Sequence, residues 1–276
     1  MLSKDAIVSD SEHIPVSAYM ITFNNARTVE QALQSLHWVD EIVVVDSFST
    51  DGTLDIAKRY AHKVEQRPWP GFRDQYQYAA DQCSHDWALF LDADEEISPV
   101  LAREMQDILR RHAGDGCAPG ACGYHGHRRT YYLGRWHVHG GWVPDHEIRL
   151  YDRRCGRWEG GLHANVHVDG PVAHLAGFIY HYTYENISAQ LKTIDAYSDT
   201  AAQDMLADGK HPSMVKLLGN PLARFCRDYF LKGGFREGIP GLVVAVSTMF
   251  YIFIKYAKLW EARLEAPPFG DRDRLP

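Results

Sequence analysis

Three short apolar runs, each stopping on a polar residue, dictate most of what this chain can become. Val16–Ile21 ends at Thr22, Ile42–Val45 at Asp46, and Trp87–Leu91 at Asp92. Runs this short, without polar alternation, are buried on both faces, as the strands of a parallel sheet are. Helical patterns lie between them: residues 27–37 with Val29, Leu33 and Leu36, a helix after Ser49-Thr50-Asp51-Gly52 with Leu54, Ile56, Ala57 and Tyr60, and residues 71–82, with a further brief strand at 62–65. The alternation predicts an α/β fold, a mostly parallel sheet flanked by helices and wound by right-handed crossovers. Ligands of such sheets bind outside the carboxyl ends of the strands. Thr22 and Asn24, Asp46 and Ser47, Asp92 and Asp94 all fall at that edge.

Beyond a helix at 98–111 and a loop at 114–123, an aromatic, His- and Gly-rich stretch reads as strands and loops covering a cleft, and "GFIYHYTY" as one more strand. From Ser188 the pattern turns helical, with helices at 188–208, 212–232 and 239–262 punctuated by Pro212, Gly233-Gly234 and Pro240. The expected organisation is a binding and catalytic domain at 1–185, a helical membrane-associating region at 186–264 and a flexible tail at 265–276. With 276 residues, 45% of them hydrophobic, the chain is long enough for one substantial core. A net charge of −7 argues against nucleic acid as a partner. Five cysteines, an odd number without zinc-knuckle or redox spacing, fit reduced thiols in a cytosol. The N-terminus has no apolar core or cleavage pattern of an export signal, so a cytoplasmic location is expected.

"LFLDADEE" carries the chemistry. Asp92 and Asp94 alternate around Ala93, so both carboxylates can face one site at a strand end. A divalent cation there would neutralise a diphosphate, and hard oxygen ligands favour Mg²⁺ or Mn²⁺. An acidic surface turn is the plainer reading of the triplet taken alone. Asp46 can accept from a uracil N–H or a ribose hydroxyl, or cap its turn with Ser47; Asp51 begins a helix equally well without a ligand. Neither a Gly-rich dinucleotide fingerprint nor a phosphate loop is present, so a nucleotide held here needs side chains and a metal.

Taken in order, "MITFNN", "WVDEIVVVDSFSTDGTLDIAKRY", "WPGFRDQYQYA", "WALFLDADEEISPVL", "YYLGRWHVHGGWVPDHEIRLYDR", "LHANVHVDG", "HYTYENI" and "FLKGGFREGIPGLVVAVSTMFYIFIKYAKLWE" resemble glycosyltransferase family 2, with its Rossmann-like GT-A fold, and within it the lipopolysaccharide core-type β-glucosyltransferases. The likeness spans residues 15–262. It implies inverting transfer of a hexose, glucose in the first instance, from a UDP-sugar to a hydroxyl of a lipopolysaccharide core or similar glycolipid acceptor. An N-acetylhexosamine donor with a polyprenyl-linked or other cell-surface glycan, or a non-catalytic glycan-binding relative, are the alternatives. A sugar-phosphate nucleotidyltransferase would need a Gly-rich, basic first turn, which "MITFNNARTVE" lacks.

By the same resemblance Asp94 is the direct metal ligand, with Asp92 on the ribose or reaching the metal through water, and Thr22, Asn24, Asp46 and Asp51 match nucleotide-binding positions. Asp145, after Trp-x-Pro, matches the position of a catalytic base; the alternative is Glu147, and the preceding Gly140-Gly141 permits close approach of a sugar. His163 is a candidate for the metal or diphosphate. Arg73 and Arg149 are candidate phosphate partners, Arg149 alternatively a structural ion pair. Trp69, Trp136, Trp142 and Trp158 could stack on sugars or pack in the core. Two positions depart from the family pattern: Asn25 where a Glu is usual, and Tyr76-Gln77 where Lys-Asn is.

From Lys210 to Arg263 basic residues outnumber acidic ones, which suits an anionic membrane surface. The apolar run Ile239–Ile254 would make a helix of about 24 Å, short of the roughly 30 Å hydrocarbon core. A helix lying in one leaflet is therefore expected, with the protein peripheral on the cytoplasmic face of the inner membrane; a buried helix or a full span are the other readings.

Overall fold

A computed structural model describes residues 13–114, 120–161 and 164–264. The chain forms two compact units, one from the chain up to Trp136 with Pro144–Thr183, the other from His137–Val143 with the chain from Tyr184 onward.

The first unit opens as the apolar runs dictate: β1 (Val16–Thr22), α1 (Val29–Gln34), β2 (Glu41–Asp46), α2 (Thr53–Tyr60), β3 (Lys63–Gln66), α3 (Phe72–Asp81) and β4 (Trp87–Phe90). These four strands pair in parallel in the order β3-β2-β1-β4. All seven residues of β1 are buried, and their parity divides the core. Val16, Ala18 and Met20 pack with Val29 and Leu33 of α1, while Tyr19 and Ile21 pack with Tyr76 and Ala79 of α3. At roughly 1.5–3 kcal/mol for each large apolar side chain buried, slipping β1 by one residue would forfeit both layers. The register sets Thr22 directly beside Asp46.

Downstream come β5 (Glu95–Ile97), α4 (Pro99–Gly114), β6 (Gly123–Tyr132), β7 (Arg135–Trp136), β8 (His146–Asp152), β9 (Gly156–Glu159), β10 (Asn165–Val168) and β11 (Val172–His181). The aromatic and His-rich stretch supplies strands, as expected, and they extend the sheet. Among the described residues nine strands form one sheet, β3-β2-β1-β4-β8-β6-β11-β5, with β7 on β6, while β9 and β10 pair separately. β8 lies antiparallel to β4 and β6, and β6 parallel to β11. Sequence patterning misses this because β6 and β8 carry Arg128, Glu147 and Arg149, which read as solvent positions yet are paired inside the unit; Arg149 is 0% exposed. β5 is also missed, since its two glutamates look like a turn. It runs antiparallel to β11 and sets Glu95 opposite His181.

The second unit contains α5 (Ile187–Ala207), α6 (Met214–Cys226) and α7 (Gly238–Glu261). Asn186 caps α5 by accepting from the Ala189 N–H. α6 passes into a π-helical turn over Arg227–Leu231, so the single helix expected at 212–232 is split in kind. α7 has 24 residues, roughly 36 Å, longer than its apolar run. Lys258 ties it to Asp195 and Asp199 of α5, each at 2.7 Å. Residues His137–Val143 pack here too: buried Glu237 accepts from the Val138 and His139 N–H groups, at 3.2 and 3.0 Å. A Cβ on Gly141 would stand 2.2 Å from Asp228 Oδ2. Gly140-Gly141 therefore packs closely within this unit.

Candidate active site

The turns after β1 and β2 hold each other. Asp46, fully buried, accepts from Thr22 Oγ1 (2.9 Å), from Ser49 through both its N–H and its hydroxyl, and from Gln66 Nε2 (3.1 Å). Those four bonds match the acceptor capacity of a carboxylate. Asn24 sits in the left-handed region (φ 55°) and accepts from the Thr50 N–H. Asp51 accepts from the Ala26 N–H and from Thr53. Burial opposes the charge on Asp51, but these donors outweigh it and lower its pKa. Thr22, Asn24, Asp46 and Asp51 thus meet in one lattice that fixes both loops.

At the end of β4 the chain assembles a denser cluster. Asp92 Oδ1 accepts from Tyr76 Oη (2.6 Å), and Asp92 Oδ2 lies 3.8 and 3.9 Å from Arg149 and Arg128. Buried Glu95 takes Arg149 Nη2 at 2.7 Å and Arg128 Nη1 at 3.4 Å. Arg128 also reaches Asp145 Oδ2 at 2.6 Å and Glu147 Oε1 at 3.0 Å, and Arg149 reaches Glu147 Oε2 at 3.2 Å. Burial first, and the Glu95 carboxylate second, raise the Asp92 pKa to about 7. Tyr76 is itself held protonated by burial and by Asp92. One departure from the family pattern is therefore a donor to the first aspartate of the triplet. The other, Gln77, accepts from the Trp158 N–H.

Asp94 faces His181, with 3.4 Å between Oδ2 and Nε2, and its backbone carbonyl accepts from the Tyr182 N–H. Burial opposes both charges. Their attraction wins, lowering the Asp94 pKa and raising that of His181. Asp92, Glu95, Asp145 and Glu147 gather round two guanidinium groups with Asp94 beside them on His181, so carboxylates outnumber arginines even with Asp92 partly protonated. A divalent cation fits this set: the excess charge favours it, and carboxylate oxygens with one imidazole suit Mn²⁺ or Mg²⁺. Asp94 and His181, 3.4 Å apart, are the side chains that could hold it.

Asp145 and Glu147 are both brought to the cluster. They differ in freedom: Arg149 and Arg128 engage both oxygens of Glu147, whereas Arg128 engages only Oδ2 of Asp145 and leaves Oδ1 without a partner among the described residues. Arg149 makes ion pairs and lies over the Phe90 ring, 4.5 Å from its centroid. Arg73 is exposed and paired with its neighbour Asp74 at 2.8 Å. Trp158 is a core residue, stacked on Tyr76 at 4.2 Å and donating to Tyr19 Oη. Trp69 is exposed against Phe72, Trp136 packs on Tyr131 and Tyr180, and Trp142 packs on His137 within the second unit. His163 lies outside the described residues. Sequence reasoning missed Arg128, Glu95 and His181. The signal for His181 was its place in "HYTYENI"; Arg128 stood in a basic pair that gave no sign of facing acids.

A parallel half-sheet continued by antiparallel strands, with acids massed at the ends of β2 and β4, is the framework of a GT-A-type glycosyltransferase. The chain belongs to glycosyl transferase family 2, whose sequence model matches residues 17–169. It is 30% identical over 272 residues to the lipopolysaccharide core biosynthesis glycosyltransferase LpsC of Rhizobium meliloti, covering 94% of this chain and 97% of that one. An uncharacterised glycosyltransferase of Rickettsia typhi is also 30% identical, over 91% of this chain and 88% of its own. In fold the chain is similar to the mannosyltransferase PcManGT of Pyrobaculum calidifontis, solved with GDP-Man and Mn²⁺, at a TM-score of 0.50 and 15% identity over 91% of this chain and 89% of that one.

Proposed function

We propose that this family 2 glycosyltransferase is an inverting, metal-dependent enzyme that moves a hexose, with glucose as the first candidate, from UDP to a hydroxyl of a lipopolysaccharide core or similar glycolipid. The observation that carries the reading is the cluster itself, a surplus of carboxylates around Arg128 and Arg149, with Asp94 on His181 and one oxygen of Asp145 open. Thr22, Asn24, Asp46 and Asp51 organise the nucleotide pocket, Asp46 by bracing both loops. Arg73 is assigned to the donor as an exposed cation able to exchange Asp74 for phosphate.

In this mechanism the acceptor oxygen attacks the anomeric carbon from the face opposite the diphosphate, the bond from that carbon to the diphosphate oxygen breaks, and UDP departs with its negative charge. Asp145 Oδ1 takes the acceptor proton, while Arg128 on Oδ2 fixes the carboxylate in place. Arg149 and Glu95 keep Arg128 from moving. Asp94 and His181, with Asp92 beside them, would hold a divalent cation, which when bound would supply charge neutralisation for the leaving diphosphate.

Asp145→Asn separates binding from chemistry. Transfer should fall by about 10²–10⁴, or 3–5 kcal/mol of barrier, while stabilisation by UDP-sugar with Mn²⁺ in a thermal-shift assay stays as in the parent. Undiminished turnover of this variant rejects the assignment. Asp94→Asn should instead lose the Mn²⁺-dependent part of the shift, and a panel of nucleotide sugars in the same assay identifies the donor.

We further propose that the second unit binds an anionic membrane surface peripherally, on the cytoplasmic side. Met214, Val215, Leu218 and Leu222 of α6 are exposed, as are Leu231 and Ile239, with Lys216 on the same helix. A cleft of about 320 Å³ in this unit is lined by Arg224, Arg227 and Lys255 with Tyr256, a setting for phosphate headgroups. Residues Gly234–Glu261 are long and apolar enough to cross a membrane by length and composition alone. The basic flank supports docking in one leaflet.

A further inference from the structure

Four of the chain's histidines gather where the sugar chemistry has no use for them. β6 lies between β8 and β11. His127 on β6 stands opposite His146 on β8, and His125 on β6 stands opposite His174 on β11. Strand residues alternate between faces, so His125 and His127 lie on the face away from Arg128, which turns to Glu95, Asp145 and Glu147. The sheet thus has an acidic cluster on one side and an imidazole cluster on the other.

One ring nitrogen from each of His127, His146 and His174 lies within 4.8 Å of the other two. The His127 and His146 rings are 4.1 Å apart at 74°, and His146 and His174 are 5.8 Å apart at 84°. The convergence rests on the ligand atoms themselves, one nitrogen from each ring within 4.8 Å of the other two. No side chain or carbonyl among the described residues hydrogen-bonds to any of the three, so their lone pairs are not spent elsewhere. His174 is also positioned by a device that regular strand pairing does not need. The register of β11 against β6 shifts between His174 and Phe178, and the Ala176 and Gly177 N–H groups freed there donate to Glu104 of α4 at 2.9–3.0 Å. A capped bulge fixes the direction of the strand on either side of it.

We propose that His127, His146 and His174 form a second cation site, for a divalent transition metal of the zinc class, on the opposite face of the sheet from Asp94. Three neutral imidazoles without a carboxylate or thiolate select Zn²⁺, Ni²⁺ or Cu²⁺ over Mg²⁺ and Ca²⁺, so this site and the oxygen-rich one take different ions. His146 and His174 are exposed and His127 half-buried, which gives the ion entry from solvent and leaves coordination positions for water or another ligand. The ion clips β8, β6 and β11 together. Because His127 precedes Arg128 and His146 lies between Asp145 and Glu147, the clip also steadies the pairs on the far face.

The test uses the full chain stripped of metal and titrated with Zn²⁺ against a chromophoric chelator, in the Asp94→Asn background so that the other site does not contribute. One tight equivalent is expected, weakened by more than tenfold in each of His127→Ala, His146→Ala and His174→Ala, and Zn²⁺ should raise the melting temperature of the parent but of none of the three. His146→Gln and His174→Gln, at exposed positions, provide folded variants if an alanine disturbs the sheet. Co²⁺ at this site should give visible ligand-field bands without a thiolate charge-transfer band. Retention of the tight equivalent in the histidine variants, its absence from the parent, or a thiolate band overturns the proposal.

Discussion

Individual charges decide this site because they are buried. Arg149 has no exposed surface and holds Glu95, itself at 1%, at 2.7 Å. Removing one partner of such a pair strands the other in a medium that cannot solvate it, at a cost of about 3–5 kcal/mol. Arg149→Met should therefore lower unfolding stability in urea by that amount. Arg59→Ala, which breaks an exposed pair with Glu30 at 3.4 Å, should change it by under about 1 kcal/mol. Equal effects would mean that the buried network contributes nothing special. Asp46, Asp92 and Asp94 were legible from sequence because each follows a strand end. Arg128 and His181 were not, since their partners lie 17 or more residues away along the chain. Arg73, one of the two arginines offered as phosphate partners, stands exposed on its neighbour Asp74.

At the level of elements, the four parallel strands and the helices between them follow from local periodicity, and the structure reproduces their order and near bounds. β5, β6 and β8 do not read so easily. Their charged residues break the apolar alternation, and the sheet accepts them only because acids and arginines arrive together from separate strands. Glycines show the same dependence on surroundings. Gly141 lies against Asp228, which is buried and binds Arg224 and Arg227, so an added methyl must displace that group. Gly219, inside α6, has open space within 4 Å of the point where a Cβ would stand. Gly141→Ala should destabilise by about 1–3 kcal/mol, whereas Gly219→Ala should stabilise by about 0.5–1 kcal/mol through helix propensity. Chemical denaturation of both variants checks the contrast, and a shared sign would refute it.

For the molecule as a whole, the two units divide the proposed work: the first gathers the acids, and the second carries the exposed apolar and basic residues. Full-length protein should co-sediment with vesicles containing anionic lipid, less so as salt is raised, and little with neutral vesicles. Lys216→Glu combined with Leu218→Glu should weaken that partition at least tenfold. Equal sedimentation with both kinds of vesicle, or none at all, would remove the membrane from the account. The amino-acid sequence by itself determined the strand and helix order of the first half, the polar ends of β1, β2 and β4, and the helical C-terminal region, because periodicity and capping act between near neighbours. Only the tertiary structure decided that Arg128 and Arg149 would bridge Asp92, Glu95, Asp145 and Glu147, that His181 would face Asp94, and that three histidines would meet on the other face. A charge can stay inside a protein only beside its counter-charge, and which residues become such partners is set by strand pairing between distant parts of the chain.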